Sequence, residues 1–232
     1  MRKFGRYATF MKNAILISIL ILLFSCKTHS KNETLQYTII NKNAISDFKK
    51  ELKTYTKIQE LRNKKIDFIA YKKHSIGSIR LRRADDLNNC PSCISNFSIY
   101  LIWREKENQY IQIFDNCGSF LPVNIENTHI LEFANKNFNI INLERIKYYQ
   151  VDKKTVSMIS HSEFKDFLLS RQGTEIYNYF DVYNLTTNSE KPNLNYKYNQ
   201  NLKIIELNNL IEEELEKIEA KNLFKRDLSK CK

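Results

Sequence analysis

Glycine and proline are scarce, four and three in 232 residues. Tight turns and helix ends lean on these two residue types, so their shortage removes most of the punctuation that separates elements in a sequence. Long apolar runs are missing too. The longest, residues 14–24, is eleven residues, where a transmembrane helix needs about 20. His-Glu-x-x-His and Gly-x-Ser-x-Gly are absent, and His74, His129 and His161 are scattered. Metal-assisted and nucleophilic hydrolysis therefore lack their usual signatures, and the reading calls for no catalytic residue, no metal and no cofactor. No internal repeat and no regular strand–helix alternation is found, which argues against a doubly wound parallel sheet.

What the chain does have begins at its first residues. Basic residues up to Lys12 precede the apolar run, which ends in Leu23-Phe24-Ser25-Cys26. This is the layout of a secretory leader. The tetrapeptide resembles the lipobox of bacterial membrane lipoproteins, with Phe24 bulkier than the residue usual at its position. The resemblance covers only the leader. It implies that residues 1–25 are a signal peptide, that Cys26 carries the acyl chains and becomes the new amino terminus, and that residues 26–41 form a lipidated tether. Lys27, a non-acidic residue after the cysteine, implies the outer membrane, with the body facing the periplasm or the cell surface. Several acyl chains hold a protein on a membrane where one gives only marginal binding. Met11-Lys12-Asn13 would itself open such a leader.

Charge is the next guide. Removing the leader takes Arg2, Lys3, Arg6 and Lys12 and no acidic residue, so the formal charge of +11 falls to +7. Export takes the chain away from nucleic acid, and the abundance of Lys, Asn, Ile and Tyr follows AT-rich codons. The basic balance thus needs no nucleic-acid partner. The expected partners are the membrane, through Cys26, and an envelope protein or an anionic glycan.

Residues 42–232 are expected to form one α+β domain, a mainly antiparallel sheet with two or three helices packed on one face. Ile45, Phe48, Leu52, Tyr55, Ile58 and Leu61 recur at helical spacing and predict a helix over 44–62. Alternation around Phe68 and around Ile79 to Arg82 predicts two strands joined by a turn at Lys72-Lys73-His74. The clearest hairpin is 97–104 with 110–114. Two short strands are expected at 120–125 and 128–133, and 138–159 fits either state. Ser160-x-x-Glu163 has capping-box spacing, predicting a short helix ending at Gly173. A strand over 176–182, a polar loop at 186–195, a strand over 196–206 and a last helix opened by Asn209 and Glu212 complete the reading. Glu212-Glu213-Glu214 is then placed at a helix start, where the dipole favours it.

With Cys26 lipidated, Cys90, Cys93, Cys117 and Cys231 remain, and an oxidising compartment favours disulfides. If Trp103 faces Tyr110, ladder numbers sum to about 213, placing Cys117 opposite residue 96 and near Cys93. Cys93–Cys117 is the preferred bond, leaving Cys90 to pair with Cys231 or stay free. The alternative is a thiol-disulfide redox or metal-binding protein using Cys90 and Cys93. Cys90-Pro91-Ser92-Cys93 resembles the motif of thioredoxin-like oxidoreductases, but Asp85 and Asp86 precede it and no helix pattern follows. A zinc site would draw on Cys117 and His129 as well. Two surfaces are candidates for binding: an anion-binding patch with Arg80, Arg82, Lys72 and Lys73, and a tyrosine face with Tyr177, Tyr179 and Tyr183.

Overall fold

The computed structural model describes residues 47–75, 95, 97–126 and 129–230. The chain divides into residues 1–54 and 55–232. In the first part, residues 47–52 are helical and Lys53 and Thr54 turn, with the Thr54 hydroxyl donating to Glu51 O at 2.7 Å. The helix expected over 44–62 is therefore interrupted. Tyr55 is extended, and α1 starts afresh at Thr56–Asn63.

The second part is a sheet of β1 (Phe68–Ser75), β2 (Phe97–Glu105), β3 (Asn108–Asp115), β4 (Gly118–Ser119), β5 (Val123–Ile125), β6 (Glu163–Arg171) and β7 (Thr174–Asp181). Its order is β4-β3-β2-β1-β6-β7, with β5 also on β3, and every pairing is antiparallel. The helices that follow α1 are α2 (His129–Lys136), α3 (Phe138–Leu143), α4 (Tyr196–Gln200) and α5 (Lys203–Ala220). An α+β fold with an antiparallel sheet is thus what the chain adopts. Among the described residues no helix is long and apolar enough to cross a membrane.

Side chains alternate across the pleat, so the pairing register assigns each residue to a face. One face carries Ile69, Ile102, Ile111 and Leu169, which join a core with α2, α3 and α5. On α5, Ile204, Leu207, Ile211, Leu215 and Ile218 are buried at three- and four-residue intervals, the spacing of one helix face. The other face carries Phe68, Leu101 and Trp103, and α1 covers part of it: Lys57 lies over the Trp103 ring at 5.0 Å and Tyr55 meets Phe114 at 4.7 Å.

Several elements differ from expectation. Lys72, Lys73 and His74 lie within β1 rather than in a turn. Residues 128–133 were expected to be a strand, but α2 buries Ile130, Leu131 and Ala134, a helical spacing. The expected helix after Ser160 is β6: the Glu163 carboxylate holds Lys165 at 2.6 Å instead of closing a capping box. Gly173 serves the β6–β7 hairpin, where Gln172 (φ 51°) and Gly173 (φ 82°) both take positive φ, as a two-residue type I′ loop requires. The strand expected over 196–206 is α4 and the start of α5, and α5 begins at Lys203 rather than near Asn209. Residues 79–82 lie outside the described residues.

Candidate functional site

Two clusters of ionisable groups straddle the sheet, one on each face. On the face under α5, consecutive rows of β1 and β6 place Tyr71 beside Phe167 and Lys73 beside Lys165. Two ammonium groups side by side repel unless a carboxylate lies between them, and Glu212 of α5 supplies it. Lys165 Nζ donates to Glu212 Oε1 at 3.0 Å, Lys73 donates to Oε2, and the Tyr71 hydroxyl lies against both Oε1 and Asn208 Oδ1. Burial pushes the Glu212 carboxyl up, but hydrogen bonds from Lys73 and Tyr71 and the charges of Lys165 and Lys73 outweigh it, so the group sits below its ordinary value. Burial first, then the Glu212 charge, hold the Tyr71 phenol well above the usual tyrosine range. Each charge here is spent on a neighbour, which makes the cluster a clasp between sheet and helix. Glu212 lies in mid-helix, not at the helix start expected of it.

The opposite face holds a strip of rings and charges beyond the part crossed by α1. His74 pairs with Phe97 and Phe164 in its row, and Lys72 pairs with Asp166, which in turn pairs with Tyr179. Lys72 Nζ lies 4.6 Å from the Phe97 ring centre, His74 stacks on Phe164 at 5.5 Å, and Tyr177 stacks on Tyr179 at 6.0 Å. Asp166 sits between the rings. Its Oδ1 accepts from the Tyr177 hydroxyl at 2.5 Å, and its Oδ2 lies 3.1 Å from His74 Nδ1, which makes no hydrogen bond. The rings are half-buried while Asp166 is buried. Half-buried planar faces held in place by a buried carboxylate can stack on a ring-shaped ligand.

The residues read from the sequence are distributed as follows. Lys72 and Lys73 fall on opposite faces because they are consecutive in a strand, so they share no patch. Tyr177 and Tyr179 share the strip, but Tyr183 lies beyond β7 in a 3-10 turn, stacked on Tyr149 at 4.8 Å. Cys26, Arg80, Arg82, Cys90, Cys93 and Cys231 lie outside the described residues. Cys117 occupies the two-residue turn between β3 and β4, its N–H donating to Asp115 Oδ1 at 2.9 Å. The Trp103–Tyr110 register is as expected, and Cys117 follows the end of β3 by two residues; Cys93, its expected partner, lies outside the described residues. His129, at the start of α2, is exposed and 3.6 Å from Glu132. Among the described residues no three His, Cys, Asp or Glu side chains converge as metal ligands.

His74, Asp166 and Glu212 were not read as site residues from the sequence. Their partners come from strands and a helix far apart in the chain, and no local spacing marks them. A cavity of about 520 Å³ borders β5, α2 and α5, with Asn124, Glu126, His129, Lys217 and Leu223 in its wall. It includes no residue of the strip. Comparison of the chain with protein-family models, with curated proteins and with solved structures gives no match.

Proposed function

We propose that this chain is a lipid-anchored binding protein of the bacterial cell envelope, non-catalytic, holding an anionic glycan or a glycan-bearing partner on the sheet face of Lys72, His74, Tyr177 and Tyr179. The observation that carries the binding role is the strip itself: stacked half-buried rings with a buried carboxylate and a histidine nitrogen between them. Stacking suits the faces of sugar rings, the buried Asp166 fixes the Tyr177 ring through its hydroxyl, and Lys72 suits an acidic substituent. The location is supported by Leu23-Phe24-Ser25-Cys26. A non-catalytic role is supported by the pairing of Tyr71, Lys73 and Lys165 with Glu212, since a nucleophile or general base needs a group poised for substrate.

The test has two arms. Mass spectrometry of the protein from envelope fractions should find a chain that starts at Cys26 and carries acyl groups; a leader intact on a cytosolic product would end the anchoring claim. Binding of the mature protein to isolated cell-wall and surface glycans should fall by about tenfold in Tyr177→Ala and again in Tyr179→Ala, as for central aromatic contacts. Unchanged binding in both variants would remove the strip from the function.

A further inference from the structure

A second surface lies at a corner built by residues 144–162 and 193–200. Gln150 and Val156 form a β-bridge, and Asp152 Oδ1 accepts from the N–H groups of Lys154 and Thr155, closing an ordered turn. The second segment is laced to the first: Leu194 N–H donates to Gln150 O at 2.8 Å, Asn195 Nδ2 to Tyr148 O at 3.0 Å, and the Tyr198 hydroxyl to Arg145 O at 3.5 Å. On this scaffold Tyr148, Val156, Met158, Ile159, Leu194 and Tyr198 are exposed, Met158 by 79%. They are six of the eleven large apolar side chains exposed among the described residues, so the exposure is concentrated rather than scattered.

Interleaved with them are Arg145, Lys147, Lys153, Lys154 and Lys197, all exposed, with Lys147 4.0 Å from the Tyr198 ring centre. Only two carboxylates lie in the same segments: Asp152 is exposed, with Oδ1 held by its own turn, and the half-buried Glu144 accepts from the N–H groups of Lys203 and Ile204 at 2.8 and 2.9 Å, so five basic side chains face one exposed acid. The corner is therefore apolar and basic at once. Protein interfaces are depleted in lysine. Peripheral membrane surfaces combine these groups, because apolar side chains and tyrosine rings enter the headgroup region while lysines reach up to anionic lipid.

We propose that this corner docks on an anionic phospholipid bilayer, seating the body against the membrane to which the chain is tied. The inference goes beyond glycan binding and builds on the anchoring at Cys26; the two separate in the test.

The test uses the full mature protein with Met158→Trp, added to phosphatidylethanolamine–phosphatidylglycerol vesicles containing brominated lipid. Trp103, the single native tryptophan, is 2% exposed, so the wild type gives the background. The emission of the new tryptophan should be largely lost to bromine quenching, and the loss should reverse in high salt, in Lys153→Glu/Lys154→Glu, and on phosphatidylcholine alone. Retention on vesicles without quenching overturns the docking face and leaves the anchor standing. Quenching with a bare Cys26 sulfur keeps the docking face and removes the anchor. Capture of a protein partner by the corner, without quenching on any vesicle, also overturns the proposal.

Discussion

Glu212 shows how one side chain decides whether two facing surfaces attract. Without its charge, Lys73 would lose the carboxylate it donates to, and Lys165 beside it would keep only Glu163 at 2.6 Å. Removing one partner of a fully buried pair costs about 3–5 kcal/mol, and the 26% exposure of the Glu212 side chain brings the expected loss in Glu212→Gln to about 2 kcal/mol near neutral pH. The pH dependence follows from the lowered carboxyl. Because the folded group titrates below its ordinary value, its contribution is complete above the ordinary carboxylate range of about 4.3 and is lost as pH falls through the folded value. Urea unfolding of wild type and Glu212→Gln should give curves that are well separated at neutral pH and converge in acid. A separation that persists in acid would show that lost packing, not lost charge, is what the substitution removes.

At the scale of elements, α5 is started by a residue far away in sequence. Leu202 has no capping side chain, and the carboxylate of Glu144 accepts the free N–H groups of Lys203 and Ile204 instead. Glu144→Ala should cost about 1–2 kcal/mol, the usual loss for a cap with a favourable dipole. Hydrogen exchange should show faster opening confined to the first turn of α5, and protection there equal to wild type would refute the capping role. The same remoteness explains which elements were legible. The β2–β3 hairpin could be read because its strands are adjacent and alternate cleanly, and its register was right. β6 was misread because it carries apolar side chains on both faces: Phe164, Phe167, Leu168 and Leu169 sit at spacings that mimic a helix, although they point to opposite sides of a strand. Helix ends were hidden by the shortage of glycine. Lys65 and Asn222 take the positive φ at the ends of α1 and α5 where glycine usually stands, so neither end was announced. The ring strip was half visible, through Tyr177 and Tyr179, but Asp166 and His74 entered it only through pairing across three strands.

At the scale of the whole molecule, the proposed export and a disulfide at Cys117 would together make stability depend on compartment. We propose that Cys117, buried at the β3–β4 turn beside the Asp115–Arg226 ion pair at 2.6 Å, is bonded to Cys93. That turn also receives the C-terminal segment, where Leu121 N–H donates to Lys225 O and Asp227 N–H to Ser119 O. A covalent link here constrains the unfolded chain and should contribute about 2–4 kcal/mol. The contribution exists only where thiols oxidise. Cys117→Ser should therefore destabilise protein recovered from the envelope by that amount, while protein made in the reducing cytosol should lose far less from the same change. Peptide mapping of the exported form should find the Cys93 and Cys117 peptides joined. A link from Cys117 to Cys90 or Cys231 would reject the pairing yet keep the dependence on compartment. Equal destabilisation in both compartments would break that dependence, and with it the argument that this fold is completed by oxidation outside the cytoplasm.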